Sequence, residues 1–262
     1  MPTQIKMLDQ LFQNSLEIMQ SWFRTLAEQV PKPRKKAFRN GIVYRYTEKS
    51  AHQAIIQKLA RVVSGLGAAQ ILLEHGFVQE QAALQRMLDE FQEDVRFIAQ
   101  GLIANELTEL HQRYLNAFYE EEFDKPDDPV GSTQKRPMIP RKKIQAHIAH
   151  TGEKELNLSR GIDLSKTLSK TYSGFVHGAS PHIMDMYGGS PPKFHISGML
   201  GTPRMDEHRE DLCNYFYRGI LAFGFAAKAF EDHFLLESIT RYLNNFEKWF
   251  HARGGVLPGV GI

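Results

Sequence analysis

Three arrangements of side chains in this sequence could carry chemistry. The first is a polar row, Ser165, Ser169, Ser173 and His177, which recurs every four residues and so lines one side of a helix. An imidazole that titrates near neutrality can give or take a proton, and hydroxyls beside it can bind a ligand. The second is Arg86, Glu90 and Glu93, spaced so that a guanidinium and two carboxylates share a helix face. Brought together, the two groups would form a composite catalytic site. His177 would be its acid or base and Arg86 would hold a phosphate, with Glu90 beside them and Tyr172 and Ser173 as ligand contacts. The same pattern also reads as packing, because serines four apart let helices approach and a histidine before Gly178 suits a helix end.

The third arrangement is charge. Residues 31–49 carry Lys32, Arg34, Lys35, Lys36, Arg39, Arg45 and Lys49 against the single acid Glu48. Residues 129–150 carry Lys135, Arg136, Arg141, Lys142 and Lys143 with no acid, and residues 119–128 between them are strongly acidic. Segregation of this kind suits a polyanion, with Arg34, Lys35, Lys36, Arg141, Lys142 and Lys143 as nucleic-acid contacts. It also suits solvated connectors whose ends pair with each other. No phosphate loop, dinucleotide fingerprint or His-Glu-x-x-His is present. His147-Ile-Ala-His150 is a lone pair of imidazoles without further ligands, so no metal and no cofactor is expected.

The elements that position these residues are helices. Apolar residues fall on one face over 5–30, and Pro31 and Pro33 then stop that run. Ile55, Leu59, Val62, Leu66, Ala69 and Leu73 form one seam, and Leu84, Leu88, Phe91, Val95, Ile98 and Leu102 form its partner. Glu74-His75-Gly76 joins them, with Gly76 placed for a left-handed cap, which predicts an antiparallel hairpin over 50–75 and 77–110. The small residues Ser64, Gly65, Gly67, Ala68 and Ala69 would admit a close neighbour. Asn40-Gly41 suits one small β-hairpin near 37–46, and an extended arm would also fit. Prolines break 124–141 into a long surface loop. Helices are then expected at 141–150 and at 163–177, capped by Asp163 and buried through Leu164, Leu168, Tyr172 and Phe175. Ser180-Pro181 starts a short one that Gly188-Gly189 ends, and Thr202-Pro203 opens the last long segment, which breaks near Asp232-His233. A glycine-rich tail covers 254–262. The expected fold is therefore one all-α domain over 1–262, a helical bundle around a long antiparallel hairpin with at most one small β-hairpin.

Residues 61–90 resemble a helix hairpin found in uncharacterised bacterial all-helical proteins grouped with HEPN-like domains. Two motifs carry the resemblance, Arg-x-x-x-Glu at Arg86–Glu90 and Tyr-Ser-x-x-Val-His at Tyr172–His177. It covers about 60–125 and 160–185, under half of the chain. The resemblance implies a helical fold and either a metal-independent ribonuclease or a nucleotide-binding partner in toxin and defence systems. HEPN ribonucleases separate Arg from a following His by four to six residues, whereas Arg204-Met-Asp-Glu-His208 leaves three. The function expected first is accordingly a non-enzymatic binding or interaction protein of a bacterial defence or regulatory system. A HEPN-like ribonuclease with a composite Arg/His site is the alternative. Partners expected are a protein, a second copy, or RNA or another polyanion, and no membrane. The single Cys213, the absence of a leader pattern and the short apolar runs point to the cytoplasm.

Overall fold

The two apolar seams fold as expected into a pair of long antiparallel helices, and the other elements are arranged around that pair. The computed structural model describes residues 2–39, 41–133, 136–151 and 172–251. In chain order these form α1 (Pro2–Ala27), β1 (Arg34–Phe38), β2 (Gly41–Arg45), α2 (Ala51–Glu74), α3 (Val78–Ile103), α4 (Glu109–Tyr119) and α5 (Arg141–Thr151). Then come a helical turn at 172–177, α6 (Ser180–Met184), β3 (Tyr187–Gly188), β4 (Lys193–Phe194), α7 (Arg204–Ala229) and α8 (His233–His251). About two thirds of the described residues are helical, and the fold is an all-α bundle.

Helix α2 starts at a capping box: the Ser50 hydroxyl accepts from the Gln53 amide, and the Gln53 side chain accepts from the Ser50 amide. It ends where Gly76 takes φ +78°, the left-handed geometry that only glycine adopts cheaply. A Cβ on Gly76 would also meet the backbone nitrogens of Met199 and Leu200 at 2.7 and 2.8 Å. Along the seam, Leu59, Val62, Leu66, Leu88 and Val95 are fully buried, while Leu84 and Phe91 are only partly so. Gly65 is what lets α3 come close, since a Cβ there would lie 2.7 Å from Leu88 Cδ2. By length and composition α2 could cross a membrane; in this fold it is a core helix.

Helix α7 closes the bundle against α3 and α2, and α1 and α8 pack on α7. Phe12 stacks on Phe216 with ring centroids 4.6 Å apart, and Trp22 meets Phe223 and Tyr242 at 5.7 and 5.6 Å. One continuous apolar cluster runs from α1 to α8.

Three details differ from the sequence reading, and one part of it lies outside the described residues. The long run at 77–110 is broken: α3 ends at Ile103, Asn105 turns left-handed at φ 55°, and α4 begins after Thr108. Asn tolerates that conformation better than most residues, so an apolar periodicity continued across a real helix end. The hairpin does not turn at Gly41 as Asn40-Gly41 suggested, because Gly41 already pairs with Phe38 in the ladder and Arg39 takes φ 51°. A second ribbon, β3 with β4, stands where Gly188-Gly189 was read only as a helix stop. Of the helix expected over 163–177 the described part is 172–177; Asp163, Leu164, Ser165, Leu168 and Ser169 lie outside the described residues, as does the tail 254–262.

Leu88→Ala should cost about 2–5 kcal/mol, and Gly65→Ala about 1–3 kcal/mol by overpacking. Urea unfolding of the double variant should cost less than the sum of the two, because the truncated Leu88 makes room for the new methyl. Strict additivity would mean that the two residues do not touch.

Candidate functional site

Helix α3 is unusual in burying polar groups on two of its flanks. At 100° per residue, Gln81, Gln85, Asp89, Gln92 and Arg96 fall within about 80° of one another, and this stripe faces α7. Gln81 Nε2 donates to the His208 carbonyl at 3.2 Å, and Gln81 Oε1 meets His208 Nδ1 at 3.1 Å. Asp89 forms an ion pair with Arg218. Burial works against the Arg218 charge, but Asp89 and Tyr215 outweigh it, so the guanidinium pKa ends up raised. Gln92 Nε2 donates to the Tyr215 carbonyl at 3.1 Å. Arg96 lies 5.2 Å from the centroid of the Phe225 ring, and burial lowers its pKa.

The helical turn at 172–177 reaches this seam through Tyr172. Its hydroxyl donates to Asp211 at 2.8 Å, and its ring meets that of Tyr215 edge-on at 5.8 Å. Burial first, and then Asp211, raise the Tyr172 pKa. Phe175 sits edge-on to His182 and His208. Among the described residues, Asp89 Oδ2, the Tyr215 hydroxyl and both side-chain polar atoms of Gln85 are buried without a hydrogen-bond partner. The seam therefore brings together two carboxylates, a guanidinium, two phenols and an imidazole, most of them already committed to one another.

The opposite flank centres on Asp94, whose side chain is 5% exposed. One oxygen meets Lys58 Nζ of α2 at 2.7 Å, and the other pairs with Arg141 of α5. Arg141 also pairs with Glu93 and donates to the Glu90 carbonyl at 3.3 Å. Burial opposes the Arg141 charge, and Asp94 and Glu93 more than restore it, so its pKa is raised. The Lys58 ammonium lies 5.0 and 4.9 Å from the ring centroids of Phe91 and Phe118. Nearby, His111 is buried with both nitrogens engaged. Nδ1 lies 3.2 Å from the Thr108 amide, and Nε2 lies 3.0 Å from the Phe97 carbonyl. An amide can only donate and a carbonyl can only accept, which assigns the neutral Nε2–H tautomer. His147 meets the Phe97 and His111 rings edge-on. No group of three or more His, Cys, Asp or Glu residues that could hold a metal is found among the described residues. Cys213 is buried, and burial pushes its thiol up to about 12, so it is no nucleophile near neutrality.

Arg86 pairs with Glu90 one turn along its own helix at 3.0 Å. Among the described residues neither makes a hydrogen bond or ion pair with 172–177. His177 is exposed beside Gly178, which takes φ +65° and closes that helical turn. Ser173 is half-buried and Tyr172 buried. The residue of α3 whose charge Tyr172 feels is Asp89, on the neighbouring buried stripe with Gln81 and Gln92, which carries no recognised motif. Four-residue spacing of polar side chains between apolar ones was its only visible signal.

Arg34, Lys35 and Lys36 stand on the β1–β2 ribbon and are all exposed. Register places Lys35 opposite Tyr44 and Ala37 opposite Ile42, while Arg34, Lys36 and Phe38 oppose Arg45, Val43 and Gly41. Side chains alternate faces along a strand, so Lys35, Ala37, Ile42 and Tyr44 share one face. All four are exposed, with Ile42 at 67% and Tyr44 at 58%. Phe38 and Val43, the two half-buried residues, mark the other face as the one turned toward the body. That face is tethered by Arg45, which grips both oxygens of Glu121 at 2.8 and 3.0 Å. Of the second basic segment, Arg141 is taken up by its ion pairs, whereas Lys142 and Lys143 are exposed.

No family model matches this chain, and no curated protein and no solved structure is similar to it.

Asp94→Asn should destabilise by about 3 kcal/mol in urea unfolding, because Lys58 and Arg141 lose their shared carboxylate in a dry setting. Arg86→Ala, which breaks only a one-turn surface pair, should stay within about 0.5 kcal/mol. Equal effects would remove the special place given to Asp94.

Burial lowers the pKa of both His111 and His208 below the ordinary 6.5. The unfolded chain then binds protons that the native state refuses. Stability should be fully present above about pH 6.5 and fall as pH drops through the depressed native values. Thermal melts from about pH 8 to about pH 5 should show this loss, with a flatter profile for His111→Gln. A midpoint that rises on acidification would contradict it.

Proposed function

We propose that this chain is a cytoplasmic, non-enzymatic binding protein of a bacterial defence or regulatory system, and that its β1–β2 ribbon binds a polyanion, RNA or DNA. The observation that carries the reading is the outward face of the ribbon. Between 34 and 45 the chain has Arg34, Lys35, Lys36, Arg39 and Arg45 and no acid, and the two large apolar residues of the outward face, Ile42 and Tyr44, are left in water. An isolated two-stranded ribbon is marginal in water, and keeping apolar side chains exposed on it gains the free protein nothing. Arg45 and Glu121 neutralise each other, which leaves Arg34, Lys35, Lys36 and Arg39 to supply the ribbon's positive charge. Lys142 and Lys143 are exposed on α5, and the reading counts them as further contacts for the polyanion. Catalysis by His177 with Arg86 and Glu90 has less support, since Arg86 and Glu90 are paired with each other and His177 is exposed with no hydrogen bond or ion pair to either among the described residues.

Fluorescence anisotropy with labelled RNA and DNA oligonucleotides tests the reading. Binding should weaken steeply with added salt, as counterions displaced from phosphates return. Lys35→Glu with Lys36→Glu should reduce both the affinity and the salt slope without lowering the melting temperature. Absence of binding at low salt would end the proposal. Cleavage of the RNA that disappears in His177→Ala would replace it with the ribonuclease reading.

A further inference from the structure

We infer that the ribbon selects single-stranded nucleic acid, with Tyr44 as the residue that determines this specificity; the inference rests on the polyanion reading above. The two faces of the ribbon differ in chemistry. The inward face carries Arg34, Lys36, Phe38, Val43 and Arg45, with the guanidinium carbons of Arg39 and Arg45 lying 5.6 and 5.8 Å from the Phe38 ring centroid. The outward face holds one cation, Lys35, directly across from one exposed aromatic ring, Tyr44.

A two-stranded ribbon can enter the major groove of a duplex, but reading base edges there takes side chains with several hydrogen-bonding groups. The outward face offers few: Ala37 and Ile42 have no polar side-chain atom, and Lys35 and Tyr44 bring only one ammonium and one hydroxyl. A duplex also hides the faces of its bases within the stack, so Tyr44 and Ile42 would stay wet against it. An unpaired strand has free base faces. One base can lie on the Tyr44 ring while Lys35, directly opposite on the same face, meets an adjoining phosphate, and Ile42 covers the edge of the next base. Every base has such a face, so the contact carries no sequence requirement. The tether at Arg45 and Glu121 fixes the base of the ribbon, and the exposed outward face meets the strand without rearrangement.

The test compares short labelled oligouridine with an RNA duplex of the same length, at about 50 mM salt, for the full chain. Wild type should favour the single strand at least about tenfold. Tyr44→Ala should weaken single-strand binding roughly 5- to 150-fold, the loss expected for one stacked base, and leave duplex binding nearly unchanged. Tyr44→Phe keeps the ring and should restore the preference. Because Tyr44 is exposed, unchanged melting temperatures of both variants are expected and would confirm an intact fold. Equal wild-type affinity for strand and duplex, or an equal loss on both in Tyr44→Ala, would overturn the inference while the polyanion reading stands. Failure of every oligonucleotide to bind would remove both.

Discussion

One buried carboxylate holds four elements of this fold in place. Asp94 sits on α3, takes Lys58 from α2 and Arg141 from α5, and lies beside the buried Tyr114 of α4. A charge in that position is tolerable only because two cations reach it and because Glu93 shares the load of Arg141. The consequence reaches beyond α3. Arg141 directly follows Pro140, so the ion pair also decides where the long connection from α4 returns to the bundle. At the other end of that connection, Arg136 donates to the Ala117 carbonyl at 3.3 Å and meets Glu122 at 2.7 Å. The loop is thus fastened to the end of α4 by one arginine and to α3 by another.

The other flank of α3 solves a different problem. Gln81 with His208, Asp89 with Arg218 and Gln92 with the Tyr215 carbonyl form successive rungs between α3 and α7. A wholly apolar seam could slide by a turn at modest cost, but these rungs match in one alignment only, and a mismatch would leave buried polar atoms unpaired. Tyr172 joins the same set through Asp211, which ties the segment before α6 to that alignment. The polar interior is in this respect a device for register.

Much of the fold was legible because helix periodicity is a local property. The α2 and α3 seams, the left-handed Gly76, the Pro181 start of α6 and the break near Asp232 all follow from spacing and backbone chemistry within a few residues. The end of α3 was not, because apolar residues kept arriving in phase beyond Asn105. The partners of the α3 polar stripe were equally hidden: His208, Tyr215 and Arg218 lie more than a hundred residues away, and nothing in either segment names the other. The composite site illustrates the same limit. Arg86, Glu90 and His177 looked promising because charged and imidazole groups draw the eye, yet side chains one position round the helix, Gln85 and Asp89, are the ones turned inward. The ribbon was legible as a turn and as charge, but which of its faces meets water follows from register alone.

The connection between α2 and α3 is short, but it is not left to itself. The Gly76 carbonyl accepts from the Met199 amide at 2.8 Å, and the backbone beside it is pressed by Gly198 and Leu200. A segment more than a hundred residues downstream therefore lies across the tightest turn of the molecule. Contacts within the helix pair span few residues and close cheaply, whereas this strap closes a loop of more than a hundred residues. The strap then acts after the main barrier, so it slows opening of the finished structure far more than it speeds assembly. Loosening it would shorten the lifetime of the native state and leave the order in which the helices meet unaltered.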